Sequence, residues 1–322
     1  MKNILAAVKP YLRWFILGGT LFFLLKTFKD HWQEVAAVRI DTWGWLMLTV
    51  ATSVTFLAHI WSGWVWSWIL KAFRQPCSQL WAIRIYLITN IAKYLPGNIW
   101  HFYGRITAIS QVGGSLGAAT LSVLLEPLLM AVAALIVALI CAGLGWLETS
   151  SDLRVWGLQI FCLVTILVGI HPRILNPVMH RLSRIKGNVK EAKTINGRDK
   201  PCPPTTGTHP HLRSYPILPL LGEIGFLLIR GTGFLLSVVA FQSLVPEQIP
   251  QLLGAFSLAW VVGLIVPGAP GGMGVFEAVA IALLDRSQFD AAIILIAVAL
   301  FRFVSILAET LAAGLAWSFK LE

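Results

Sequence analysis

Long apolar runs separated by short polar stretches make up most of this 322-residue chain. A helix needs about 20 residues to cross the hydrocarbon core of a bilayer, and fewer when flanking lysine and arginine side chains reach back to the interface. Six runs meet this requirement and predict membrane-spanning helices at residues 11–28, 43–70, 118–146, 154–170, 217–244 and 291–319. The pattern therefore predicts an all-α, polytopic membrane helix bundle.

Two further apolar runs, at residues 80–117 and 251–284, are broken by proline and glycine. The first break is Pro96-Gly97, and the second contains Pro267, Gly268, Pro270, Gly271, Gly272 and Gly274. A broken helix leaves backbone N–H and C=O groups unpaired, which is tolerated in a bilayer only where protein or a water-filled cavity surrounds the break. One break in each half of the chain is typical of a transporter-like binding site.

Composition and charge support a membrane protein and suggest its orientation. Hydrophobic residues make up 57% of the chain and charged residues only 12%, which exceeds what one soluble core requires. The formal net charge of +10 does not indicate nucleic-acid binding, because nine of the 25 basic residues lie in one segment, from Arg173 to Arg213. Cytoplasmic loops carry excess lysine and arginine. We therefore expect this loop, the N-terminus and the C-terminus to be cytoplasmic, in a plasma membrane of bacterial type.

The charge pattern predicts one membrane domain, 1–322, with halves 1–170 and 217–322 joined by a cytoplasmic basic loop, 171–216. If both ends of each broken run lie on one side of the membrane, each run is a re-entrant hairpin of two half-helices. The two hairpins would then enter from opposite faces, as an inverted repeat requires. Two short spans, or one kinked span with displaced neighbours, remain alternatives for each broken run.

Several charged residues fall within apolar runs, where they are costly. A charge at the bilayer centre costs about 2.5–3.5 kcal/mol on insertion scales, so such residues should pair or face a polar cavity. For Arg105, Glu126, Glu277 and Arg302, a polar site and structural ion pairing are both open. Arg302 and Glu309 are about two turns apart, so we expect each to find a partner on another helix.

Other polar residues in the runs favour structural roles. Glu223 and Arg230 lie nearer to predicted span ends, where structural pairing is expected. His59 and His101 are expected to be hydrogen-bonded packing residues, although either could relay protons because histidine titrates near neutrality. The glycines of the second break do not form a nucleotide-binding motif, which would need a lysine or a preceding strand.

The two broken motifs together resemble the membrane region of lysylphosphatidylglycerol synthases and the stand-alone flippase-like proteins built from it. The family's proline-glycine-glycine-x-glycine-x-x-glutamate signature falls on Pro270 to Glu277, and its later arginine on Arg302. The chain departs from the family at Pro127, where arginine is frequent. The resemblance implies the following substrate-binding residues: Lys93, Pro96, Gly97, Arg105, Glu126, Pro270, Gly271, Gly272, Gly274, Glu277 and Arg302.

The resemblance implies translocation of a polar-headed phospholipid between leaflets, through a groove formed by the two broken helices. The expected partners are membrane lipids, either anionic or aminoacylated or with another lipid-linked head group, and a homo-oligomer is left open. We expect no enzyme activity, because the chain ends at Glu322 without the soluble synthase domain. We also expect no cofactor, no metal and no nucleic acid. The alternatives are an integral membrane transferase acting on lipid-linked substrates and a small-ion or solute transporter.

Overall fold

The computed structural model describes residues 39–75, 77–95, 99–143, 153–177, 214–266, 274–284 and 289–319, with Lys29, Leu212 and Gly272. Within these ranges the regular structure is helical, without strands, and this confirms the predicted all-α polytopic bundle. We label the α-helices α1 (Thr42–Ala72), α2 (Gln79–Asn90), α3 (Trp100–Gln111), α4 (Leu116–Gly143), α5 (Leu153–Ile170), α6 (Ile217–Val239), α7 (Gln248–Ile265), α8 (Val275–Leu283) and α9 (Ala291–Ser318). A 3-10 helix, Ile91–Tyr94, follows α2.

Five of these helices, α1, α4, α6, α7 and α9, are long and apolar enough to cross a membrane. Four of them coincide with predicted spans. The predicted span at 154–170 corresponds to α5, which has 18 residues. The predicted span at 11–28 lies outside the described residues.

The two broken elements differ in the lengths of their limbs, the two helices on either side of the break. In the first, α2 and α3 have 12 residues each, about 18 Å at 1.5 Å per residue, so neither crosses a core of about 30 Å. In the second, α7 has 18 residues and α8 has nine, about 27 Å and 14 Å. By length alone α7 could cross the membrane, so the first limb of the second element is longer than either limb of the first. Pro96, Gly97, Pro270 and Gly271 lie outside the described residues, and the re-entrant path stays a prediction.

The most extensive packing between the two halves is that of α1 against α6. The Trp61 indole of α1 donates a hydrogen bond of 2.8 Å to the backbone carbonyl of Gly222 in α6. A Cβ at Gly222 would lie 2.6 Å from the Val65 side chain, so only glycine allows the helices to approach this closely. This tight contact brings the middle of α1 against the middle of α6, where His59 and Arg230 meet.

Packing between helices repeats when the two halves are exchanged. We match α1, α2, α3 and α4 of the first half with α6, α7, α8 and α9 of the second, in that order. The contact of α4 with α7 then corresponds to that of α9 with α2. The contact of α1 with α9 corresponds to that of α6 with α4. The two limbs of each broken element also pack together, and the second limb packs on the long helix that follows. The described residues therefore form two related halves around the α1–α6 contact, with α5 as an addition to the first half.

Candidate functional site

A cavity of about 280 Å³ lies between the two broken elements, bounded by α1, α2, α3 and α4 from the first half and by α6, α7, α8 and α9 from the second. Its wall combines aromatic and aliphatic side chains with charged ones. The cationic side chains that line it are Lys93, Arg105, Arg230 and Arg302, and the lining carboxylate is that of Glu126. Four cations in one cavity of a membrane bundle mark it as the candidate binding site, because such groups are costly in lipid.

An ion pair between Arg105 and Glu126 joins α3 to α4 on one side of the cavity. The Arg105 Nη1 lies 2.5 Å from the Glu126 Oε2, and the Tyr86 hydroxyl donates to the other carboxylate oxygen at 2.7 Å. The guanidinium carbon also lies 3.8 Å from the centre of the Tyr86 ring, within cation–π range. Both ionic side chains are buried, so loss of either partner would leave an uncompensated charge in the interior.

A second ion pair, between Glu277 and Arg302, joins α8 to α9 in the other half. The Arg302 Nε donates to the Glu277 Oε1 at 2.6 Å. The second Glu277 oxygen accepts from the Gly274 backbone N–H at 2.6 Å, which caps the start of α8. Gly272 and Gly274 have φ values of +72° and +83°, which favour glycine, and the Gly272 carbonyl accepts a 3.4 Å hydrogen bond from Arg302. The signature glycines thus shape the turn that presents Glu277.

A third charged cluster, around Glu309, lies at the contact between the halves. The Glu309 Oε1 is 2.6 Å from the Lys93 Nζ and 3.1 Å from the His59 Nε2. Arg230 Nη1 lies 2.8 Å from the same His59 nitrogen, and Arg230 Nη2 is 3.9 Å from Glu309. Because Lys93 stands just before the first break and Glu309 lies on α9, this cluster ties the first broken element to the second half.

Several buried polar atoms of cavity-lining residues have no hydrogen-bond partner among the described residues. They are the His101 Nδ1, the Arg230 Nε and the Trp260 Nε1, all from cavity-lining residues. Both carboxylate oxygens of Glu223 on α6 are also without a partner, and this side chain is fully buried outside the cavity lining. An unsatisfied buried donor costs about 1–3 kcal/mol, so its presence in a cavity wall is typical of a ligand site.

The residues predicted from the sequence converge only in part. Lys93, Arg105, Glu126, Gly272 and Arg302 line the cavity, whereas Glu277 and Gly274 support its wall through Arg302 and the α8 turn. Arg230 contacts His59 and Glu309, as expected for a structural role, but it also lines the cavity. The sequence signal was present: Arg230 lies within an apolar helix, where an arginine is costly.

Trp260, His101 and Glu309 were also absent from the predicted site. The expectation that Arg302 and Glu309 pair with other helices agrees with their contacts, to Glu277 and to Lys93. His59 is hydrogen-bonded as expected for a packing residue, whereas the Nδ1 of His101 is not. Among the described residues there is no group of three or more histidine, cysteine, aspartate or glutamate side chains able to hold a metal ion.

Comparison with known proteins gives one family match that covers almost the whole chain. The family model described as lysylphosphatidylglycerol synthase TM region matches residues 12–313. This range includes both broken elements, both arginine–glutamate pairs and the Glu309 cluster. Among curated proteins, none matches the chain.

Proposed function

The chain belongs to the lysylphosphatidylglycerol synthase transmembrane-region family, and on this premise we propose that it moves a polar-headed phospholipid between the leaflets of a membrane. The observation that carries the proposal is the cationic cavity between the two broken elements. Membership of the family supports a role in handling lipids. The route and the movement itself are our proposal.

The dimensions and lining of the cavity favour a head group as its occupant. Small-molecule sites commonly measure about 300–1,000 Å³, so a cavity of about 280 Å³ is just below this range and has no room for two acyl chains. Its phenylalanine and methionine side chains would contact the glycerol backbone, while its cations would contact phosphate. The acyl chains would remain in the surrounding lipid throughout the movement.

The two arginine–glutamate pairs provide a means of opening the cavity. Each pair links the second limb of a broken element to the long helix that follows, α3 to α4 and α8 to α9. A head-group phosphate that approaches Arg105 or Arg302 competes with the glutamate for the guanidinium. We propose that this competition loosens one junction at a time and that the two junctions face opposite leaflets, as an inverted repeat would require.

We propose a location in the plasma membrane with the N-terminus, the basic loop and the C-terminus in the cytoplasm, on the basis of the charge asymmetry of the loops. The proposed activity contains no chemical step, so the protein acts as a transporter and not as an enzyme. Movement would be passive or coupled to an ion gradient.

The proposal is tested with purified protein in liposomes that contain phospholipids labelled on an acyl chain with a dithionite-sensitive fluorophore. Protein that moves lipid exposes inner-leaflet label to the reductant, so the residual fluorescence falls below that of protein-free liposomes. Glu277→Gln should slow this loss at least about tenfold, because it removes the charge that holds Arg302. Trp64→Phe, a change in a side chain that is 42% exposed on the surface of α1, is the matched control and should leave the rate unchanged. Wild-type protein that leaves all labelled lipids on their original leaflet would contradict the proposal.

The same cavity would also suit a small inorganic or organic anion, because its lining holds four cations and its volume is small. This second candidate is distinguished by anion flux into liposomes. Flux without exchange of labelled lipid would favour a solute transporter, and lipid exchange without flux would favour the first proposal.

A further inference from the structure

We infer that the cavity contains an oxyanion subsite, formed by Arg230 and Trp260, that selects a phospholipid with a net anionic head group over one that carries a cationic amino group. The inference rests on the proposed function, since it names the substrate class of the same cavity. It is carried by three observations: the charge balance of the wall, the unsatisfied donors at one place in it, and the pairing of its carboxylates.

The charge balance of the described cavity wall leaves one positive charge in excess. Four cations line the cavity, and three carboxylates pair with them, those of Glu126, Glu277 and Glu309. Glu223 is not counted, because it lies outside the cavity lining and pairs with none of these cations among the described residues. A phosphodiester with one negative charge would neutralise the excess, whereas a head group with a net positive charge would double it.

Arg230 shares the Glu309 carboxylate with Lys93 and is the more distant of the two cations, at 3.9 Å against 2.6 Å. The guanidinium carbon of Arg230 lies 4.8 Å from the centre of the Trp260 ring, so the two side chains are stacked in cation–π range. The Arg230 Nε and the Trp260 Nε1 are both buried and have no hydrogen-bond partner in the part of the chain that the structure describes, and both residues line the cavity. Two N–H donors without an acceptor among the described residues, one on the guanidinium itself and one on the indole stacked against it, are complementary to the oxygens of a phosphate.

The carboxylates offer little to an incoming ammonium group. Glu126 already accepts from Arg105 and Tyr86, and Glu277 accepts from Arg302 and the Gly274 backbone. The Glu309 Oε2 has no partner, but Glu309 does not line the cavity, and its other oxygen is shared by Lys93 and His59. An amino group on the lipid would therefore have to displace a bound cation, while a phosphate would meet free donors.

The test measures binding to the purified full-length protein in detergent, using short-chain lipids with identical dihexanoyl chains. The four probes are phosphatidylglycerol, phosphatidylcholine, lysyl-phosphatidylglycerol and the deacylated glycerophosphoglycerol. We expect phosphatidylglycerol to bind at least tenfold more tightly than lysyl-phosphatidylglycerol, with phosphatidylcholine between them. Glycerophosphoglycerol tests whether the head group alone suffices: binding equal to that of the lipid would identify a soluble phosphodiester as the ligand. Equal binding of all three lipids, or tighter binding of the lysyl form, overturns the inference.

Two substitutions test whether Trp260 and Arg230 cause the preference for the anionic lipid. Trp260→Phe keeps an aromatic ring beside Arg230 and removes the N–H donor, so it should weaken phosphatidylglycerol binding about tenfold, the value of one hydrogen bond to a charged group. Trp64→Phe is the same chemical change at a surface side chain and should have no effect. Arg230→Gln should abolish the preference for the anionic lipid. Because Arg230 is buried and its loss could prevent folding, the Trp260 variant alone suffices: an unchanged lipid preference in that variant contradicts the subsite.

Liposome translocation with the same head groups separates this inference from the proposed function. Selective movement of phosphatidylglycerol supports both. Selective binding of phosphatidylglycerol without movement of any lipid would contradict the proposed translocation and support the oxyanion subsite. Movement of all head groups at equal rates, with equal binding, would leave the flippase and overturn the subsite.

Discussion

The two halves of the molecule place an arginine–glutamate pair at the same junction with the charges exchanged. In the first half the arginine lies on the short helix, α3, and the glutamate on the long helix, α4; in the second half Glu277 lies on α8 and Arg302 on α9. The corresponding helices pack in the same way. Both halves therefore place opposite charges across the junction between the short helix and the long helix that follows it. The arginine is on the short helix in one half and on the long helix in the other.

The two pairs differ in how firmly they are held. The side chains of Arg105 and Glu126 are 2% and 4% exposed, whereas those of Arg302 and Glu277 are 18% and 11% exposed. The first pair is also surrounded by Tyr86 and Asn90, while the second is supported by backbone groups of a glycine-rich turn. We therefore expect the second junction to open more easily than the first.

The largest effect is expected from Glu309→Gln, which removes the link between the first broken element and α9. The change leaves Lys93, His59 and Arg230 without their shared carboxylate, so thermal unfolding in detergent should show a loss of about 5 kcal/mol, the upper end for a broken buried ion pair. Thr310→Ala, on the exposed side of the same helix, is the control and should change stability little. Equal stability of the two variants would show that the halves are held together without this cluster.

Neutralising the two arginines should give unequal losses. Arg105→Gln leaves the buried Glu126 uncompensated and should cost about 3 kcal/mol of unfolding free energy. Arg302→Gln affects a pair that is partly exposed and should cost about 1.5 kcal/mol. Chemical unfolding of the two variants under identical conditions measures the difference. A larger loss for Arg302→Gln would reverse our ranking of the two junctions.

Exchanging the charges within each pair tests the comparison directly. The double variant Glu277→Arg with Arg302→Glu copies the arrangement of the first half and should regain most of the lipid movement lost by Glu277→Arg alone. Arg105→Glu with Glu126→Arg should regain less, because the contacts of Arg105 with Tyr86, Thr89 and Asn90 suit a guanidinium at that position only. Rescue in neither half would mean that the position of each charge is essential.

The smallest effect is expected from Gly272→Ala. A Cβ at this residue would lie 3.2 Å from the Gly263 carbonyl oxygen, and the φ of +72° disfavours any side chain, for a cost of about 1 kcal/mol. Gly314→Ala, at a helical glycine with open space around it, is the control and should stabilise slightly. Thermal unfolding of both variants measures the difference in stability. Equal stability of the two variants would show that the glycine-rich turn does not need glycine at position 272.

The sequence predicted the bundle, most of its spans and both members of each arginine–glutamate pair, because apolar length and charge cost are local properties. It did not predict that α7 alone is long enough to cross, since proline marks where a helix ends and not how its limbs divide the membrane. Arg230 and Trp260 were missed for another reason. Their role depends on the close α1–α6 contact and on α7 packing beside it, which brings together residues 30 positions apart without a periodic signal.

Pro127 follows Glu126 directly within α4 and lines the cavity. Proline has no N–H, so the Val123 carbonyl, four residues earlier, lacks its usual helical partner, and the rod loses stiffness at that turn. The helix is therefore easier to bend at this turn than elsewhere, and Glu126, whose carboxylate pairs with Arg105, lies in the same turn. The carboxylate that pairs with Arg105 is therefore one residue from the point at which α4 bends most easily.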